Sequence, residues 1–192
     1  MFSIRQACIS DAPQLASLIM QAMSEECCTY FYGPQHSAPQ FHRFLTELAT
    51  RTDSQYSYRN ALVAVEEDHV VGTAVSYDGA TLHELRKSFQ DGMLEQFNRN
   101  FYEMDDETQG GELYLDSLAV EERFRHRGMA TQLINVTIDK ARKLSIPCVG
   151  LLVDDDNPKA LQLYRSLGFQ MAGVSSWGGH GMKHLQKDVM DQ

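Results

Sequence analysis

Apolar and polar positions alternate along the chain with two periods. Leu15, Leu18, Ile19, Ala22 and Met23 follow the spacing i, i+3, i+4, i+7, i+8. That is one face of a helix, with Ser10 as its expected N-cap and a first strand at residues 2–5 before it. Phe41, Phe44, Leu45 and Leu48 form the stripe of a second helix starting after Ser37, and the polar stretch 51–60 reads as loop. Residues 61–65 and 70–75 are rich in β-branched residues and are joined by four polar ones, which predicts a hairpin. The segment 79–102 carries Leu82, Leu85, Phe89, Met93, Phe97 and Phe101 at near-helical spacing. A central strand is expected at 112–120, a helix at 129–144 and a strand at 148–153 after Pro147. A helix at 157–167 closes on Gly168 as a left-handed cap, and strands at 169–174 and 182–186 end the pattern. The order predicts a mixed α/β (α+β) fold around one sheet, in a single domain spanning residues 1–192.

Composition narrows the function classes. The chain has 192 residues, 43% of them hydrophobic, so a full core can form and disorder is excluded. No apolar run approaches the roughly 18 residues of a membrane span, so no membrane partner is expected. Residues 1–5 lack a basic segment followed by a long apolar one, so no signal peptide is expected. A net charge of −9 suits nucleic acid poorly and favours small, cationic partners. Cys8, Cys27, Cys28 and Cys148 form no CxxC pair or Cys/His ladder, so neither metal nor a disulfide framework is expected, and the cytoplasm is the expected compartment.

Two stretches carry chemistry. Between strand and helix, residues 120–131 run through Arg125, His126, Arg127, Gly128, Met129, Ala130 and Thr131. Backbone N–H groups and the positive helix end at such a turn make an anion cradle, which Gly128 lets a phosphate approach closely. Taken alone, the segment fits an ordinary strand-to-helix turn with solvated arginines equally well. It is neither a Walker A loop nor a dinucleotide GxGxxG, which argues against a nucleotide triphosphatase or a dehydrogenase. The second stretch, 157–169, holds Asn157, Ala160, Leu163, Tyr164, Gly168 and Phe169.

With both in view, the chain resembles the GNAT superfamily of acyl-CoA-dependent N-acetyltransferases. Arg125, Gly128 and Ala130 match the family's R/Q-x-x-G-x-G/A, and the second stretch matches N-x-x-A-x-x-L-Y-x-x-x-G-F, in the family's order. The resemblance is strong over 112–169 and looser before it. It implies a mostly antiparallel mixed sheet splayed between strands 4 and 5, helices on both faces, and an extra helical insertion between strands 3 and 4. It also implies acetyl-CoA as co-substrate. Backbone groups of Leu118, Ala119 and Val120 would hold the pantetheine arm, and residues 125–131 the pyrophosphate. Asn157, with Lys159 and Ala160 beside it, would contact the pantetheine or the adjoining turn. Tyr164 would lie near the sulfur, as general acid or as a packing tyrosine.

A base is needed because an alkylamine with a pKa of about 10.4 is mostly protonated at neutral pH. Glu112, Tyr114 and Asp116 share a face of the fourth strand if its alternation is unbroken. Asp116 is the first candidate and Glu112 the second, with a structural role for Asp116 at a bulge as the rival reading. Leu152 stands where some relatives have a glutamate. His83 and Glu84 read by default as exposed on a helix, with lining of the acceptor pocket as the alternative, and His180 and His184 read as surface or packing residues. The expected activity is acetyl transfer to a primary amine of a small molecule. Alternatives are a non-catalytic acyl-CoA-binding module and a protein N-terminal or lysine acetyltransferase. The insertion's apolar stripe must be buried against the acceptor side or a second subunit, so a homodimer is an option. Glu103, Asp105, Asp106 and Glu107 would then bias the entrance toward cations.

Overall fold

The computed structural model describes residues 2–177 and 180–190. Its strands are β1 (Ser3–Gln6), β2 (Ala61–Glu66), β3 (His69–Asp78), β4 (Glu112–Val120), β5 (Cys148–Asp154), β6 (Gln170–Trp177) and β7 (His180–Asp188). The helices are α1 (Ala12–Tyr32), α2 (Ala38–Thr50), α3 (Leu82–Phe97), α4 (Met129–Lys143) and α5 (Pro158–Ser166). The strands form one sheet in the order β1-β2-β3-β4-β5-β7-β6, antiparallel throughout except for β4 beside β5. That parallel pair joins only Glu112, Leu113 and Tyr114 to Cys148, Val149 and Gly150, after which the strands part.

Strand alternation sends side chains to two cores. Ala61 and Val63 of β2 join the face covered by α1, α2 and α3, while Leu62 and Ala64 join the face covered by α4 and α5. The stripe of α3 is Leu82, Phe89, Met93 and Phe97, all buried. Phe89 and Phe97 sit 5.8 and 5.4 Å (ring centroids) from Phe44 of α2, and Phe89 lies 5.1 Å from Phe31 of α1. The insertion therefore spends its apolar face on its own chain's core.

Three local features differ from the sequence reading. Ser10 does not cap α1; Asp11 takes the N-cap position, and its carboxylate is held by two hydrogen bonds from Arg5. Helix α1 breaks at Ser24 (φ 72°, ψ 160°), where the Ser24 hydroxyl accepts from Cys27 N and caps the second half as a new helix. Residues 51–60 form a loop that ends in a 3-10 turn at Tyr58–Asn60, yet Ser54, Gln55, Tyr56 and Ser57 are buried.

Candidate active site

The pairing of β3 with β4 skips one residue. Val75 opposes Ser117 and Ser76 opposes Leu115, so Asp116 is the extra residue of a β-bulge. The alternation holds as far as Asp116 and breaks there, one residue past the point where β4 and β5 have already separated. Asp116 is thus a half-buried carboxylate on the wall of the splay, facing the helices α1 and α3.

Its surroundings are polar and crowded. Ser117 Oγ donates to Asp116 Oδ1 at 2.7 Å, while Gln55 Nε2 and the Tyr77 hydroxyl donate to Oδ2 at 3.3 and 3.2 Å. Glu107, from the end of the insertion, also lies 3.2 Å from the Tyr77 hydroxyl and pairs with the Arg86 guanidinium. Arg86 is only 1% exposed, and its second amino group reaches the Met104 carbonyl and Asp106. Gln55 Oε1 and Arg86 Nε are buried with no hydrogen-bond partner among the described residues. Burial pushes the Glu107 carboxyl up to about 7 against the pull of Arg86, with Asp116 adding to the rise. Burial likewise raises Asp116, opposed by its hydrogen bonds from Ser117, Tyr77 and Gln55. Tyr56, Tyr77 and Tyr114 are all driven upward by burial and by these two carboxylates.

Glu112 has a different environment. It is 1% exposed and accepts from Thr108 Oγ1 at 2.5 Å and from Gln186 Nε2 at 2.8 Å, with His184 Nε2 at 2.9 Å. Burial alone would raise its carboxyl, but the bonds to His184, Thr108 and Gln186 hold it below the ordinary value. It ties β4 to β7, on the far side of β5.

At the other end of β4, a 3-10 turn leads to Arg125, whose Nε donates to the Val120 carbonyl at 3.1 Å. His126 (φ 61°) and Gly128 (φ 80°) both adopt left-handed backbone, and Gly128 is the N-cap of α4. A Cβ at Gly128 would meet nothing within 4 Å, so open space lies before the first N–H groups of Met129, Ala130 and Thr131. Arg127 does not face that space freely, because its guanidinium forms two hydrogen bonds to Glu66, at 2.7 and 2.5 Å. Leu118 is partly buried and Ala119 and Val120 are buried, on a stretch of β4 with no partner on the β5 side. Asn157 caps α5 through the Ala160 N–H at 3.1 Å, and Lys159 is exposed beside it.

Tyr164, on α5, packs edge-on against Phe169 at 5.7 Å and makes no side-chain hydrogen bond among the described residues. Burial pushes its hydroxyl up to about 12.

Other candidates fall elsewhere. His83 is exposed and lies 3.1 Å from Asp106, Glu84 lines a surface groove near Lys140, and His180 is exposed. The expected acidic entrance needs correction: Glu103, Asp105 and Asp106 are exposed, but Glu107 is buried on Arg86 because the chain turns inward there. Among the described residues, no helix is long and apolar enough to cross a membrane.

A seven-stranded sheet that parts after a three-residue parallel contact, with helices on both faces, defines the N-acetyltransferase class of fold. The acetyltransferase (GNAT) family model matches residues 20–169, and the chain belongs to that family. A solved acetyltransferase structure superposes with a TM-score of 0.79 at 28% identity, covering 97% of this chain and 99% of that one. An acetyltransferase of Agrobacterium fabrum is 38% identical over 66 residues, 34% of this chain and 47% of that protein. The spermine/spermidine N(1)-acetyltransferase of Bacillus subtilis is 26% identical over 80 residues, 41% of this chain and 53% of that protein. The match thus spans about half the length of each of these curated relatives.

Proposed function

We propose that this protein transfers an acetyl group from acetyl-CoA to the primary amine of a small molecule. The observation that carries the reading is the placement of Asp116, a bulged carboxylate on the wall of the gap between β4 and β5. Bonded to polar neighbours and beside the unpartnered Gln55 Oε1, it suits an ammonium donor. The open space before Gly128, the N-terminus of α4 and the stretch of β4 at 118–120 that no longer pairs with β5 fit a phosphate-bearing thioester co-substrate.

In this reading Asp116, not Glu112, takes the proton of the ammonium, because Asp116 is only half-buried whereas Glu112 is sealed between β4 and β7. The amine nitrogen then bonds to the thioester carbonyl carbon and the carbon–sulfur bond breaks. Tyr164 protonates the leaving thiolate and regains a proton from the new amide nitrogen, so amide, thiol and one proton are the net products. Its raised pKa keeps it fully protonated at neutral pH. Backbone donors on β4 would meet the developing oxyanion. The insertion lines the acceptor side through Leu82 and Leu85, which pack with Tyr77, Tyr114 and Leu152.

A free-thiol assay with acetyl-CoA and a panel of diamines, aminoglycosides, amino acids and peptides tests the reading. Thiol release with a small amine supports it. Release with peptides alone would move the assignment to protein acetylation, and acetyl-CoA binding without release would leave a binding module.

A further inference from the structure

The Tyr77 hydroxyl stands 3.2 Å from Glu107 Oε1 and 3.2 Å from Asp116 Oδ2. A phenol carries one hydrogen, whereas two oxygen–oxygen contacts at bonding distance require two. With both carboxyls ionised, one contact has no proton. A single added proton fills both.

We infer that Asp116, Tyr77 and Glu107 form a proton relay that takes up the proton released by the acceptor ammonium, with Glu107 as its terminal holder. The inference rests on the amine-acetylating reading given above. Asp116 is half-buried at the gap and meets the substrate end; Glu107 is buried behind it and acts through Tyr77, as a positioning group that never touches substrate. Each step balances. The N–H bond of the ammonium breaks as an O–H bond forms on Asp116. Asp116 passes that proton to the Tyr77 oxygen, and the phenolic hydrogen moves to Glu107. Asp116 returns to carboxylate, Tyr77 is unchanged, and reversal of the path returns the proton to solvent after product leaves.

The surroundings fit this task. Arg86 from α3, itself anchored by Asp106, holds Glu107 in place, so the second carboxyl is not stranded when ionised. Tyr56 from residues 51–60, Tyr114 from β4 and Cys27 from α1 close the rest of the pocket, all with pKa values raised and therefore neutral. Among the described residues, the charges in contact with the relay are thus Arg86 and the two carboxylates, both raised by burial, with Asp116 adding to the rise of Glu107.

The test uses the whole enzyme, acetyl-CoA in excess and whichever amine the panel identifies. The wild type should lose kcat/KM on the acid side through an ionisation near 7. Tyr77→Phe keeps the Arg86–Glu107 pair, so the protein should fold. It should lose at least tenfold in kcat, keep its thermal stabilisation by acetyl-CoA, and move the acid limb up, because both carboxylates lose a hydrogen bond that lowers them. Glu107→Gln should move the limb the opposite way, down, because it removes the neighbouring charge. An unchanged limb with less than a threefold change in kcat for Tyr77→Phe overturns the relay. Infrared titration of the wild type reads it independently of turnover. A carboxyl band that disappears near pH 7, is missing in Glu107→Gln and titrates at higher pH in Tyr77→Phe supports the relay; no carboxyl titration between pH 5 and 9 overturns it. If acetyl-CoA binds but no amine is acetylated, the amine-transfer reading fails, and the infrared result then decides whether a shared proton exists.

Discussion

Gly150 lies directly against the Glu112 carboxylate: a Cβ built on this glycine would run into the Glu112 side chain. The contact sits in the last part of the parallel β4–β5 pairing, where Gly150 opposes Tyr114. The absent side chain lets a saturated carboxylate cross from β4 toward His184 and Gln186 on β7.

Gly150→Ala should therefore destabilise the protein by about 1–3 kcal/mol, the usual cost of overpacking a buried site. Chemical denaturation measures it. In combination with Glu112→Ala the loss should be markedly less than additive, since the colliding atoms are gone.

Gly128→Val should remove the stabilisation that acetyl-CoA gives to the melting temperature. Space is not the obstacle in the free protein, because nothing lies within 4 Å of the added Cβ. The left-handed backbone at φ 80° is, at about 1–2 kcal/mol for a residue with a side chain, more for a β-branched one. Gly128→Asn, which tolerates that conformation better, should retain more of the shift; a full shift with valine would remove the phosphate role from this turn.

Tyr164→Phe preserves the packing on Phe169 and deletes only the hydroxyl. Acetyl-CoA binding should persist while turnover falls roughly 100- to 10,000-fold, the range for a lost general acid. Steady-state kinetics beside a thermal-shift titration separate the two effects, and a loss under threefold would exclude the acid role.

Two carboxyls give stability pH dependences of opposite sign. Glu107 rises from 4.5 to about 7 on folding, so the folded state holds a proton the unfolded chain releases. That contribution is lost as pH climbs through this window, and the slope should vanish in Glu107→Gln. Asp11 falls from 3.8 to about 2, chiefly through its bond from Arg5 and against its burial. Its contribution is complete above 3.8 and is lost as pH drops toward 2. Denaturation curves from pH 2 to 8, with Asp11→Asn as the second comparison, check both.

Replacing the exposed Asp105 and Asp106 by asparagine should raise the acceptor Michaelis constant, more at low salt, and leave that of acetyl-CoA unchanged. Glu107 is left out because it answers to Arg86 rather than to solvent. Equal effects on both constants would exclude an electrostatic entrance.

The helices and strands were legible because each carries an apolar stripe of the right period, and both chemical stretches are local. The polar cluster was not. Arg86 falls between Leu82 and Phe89 on the buried stripe of α3, but the neighbouring Leu85 satisfies the same spacing and masks it. Gln55 lies in a polar stretch whose composition matches a solvated loop, although the segment is buried. A bulge at Asp116 was open to the sequence only as the rival to a catalytic role, and the break at Ser24 involves neither glycine nor proline, so no residue type announces it. The bond between Glu112 and His184 joins positions 72 apart, beyond the reach of any local pattern.

The early parting of β4 and β5 has a consequence for how this chain avoids its own copies. An ordinary open sheet exposes two edges, at its outermost strands; this one also has two inside it, along β4 from Leu115 and along β5 from Leu151. Unpaired strand edges are templates for aggregation. Here they face each other inside the sheet, with α1 packed against β4 on one side and α4 on the other. A folded neighbour cannot bring its own sheet edge into such a slot. Only something slender and extended can, so the shape that admits a linear ligand also denies entry to another molecule of the same protein.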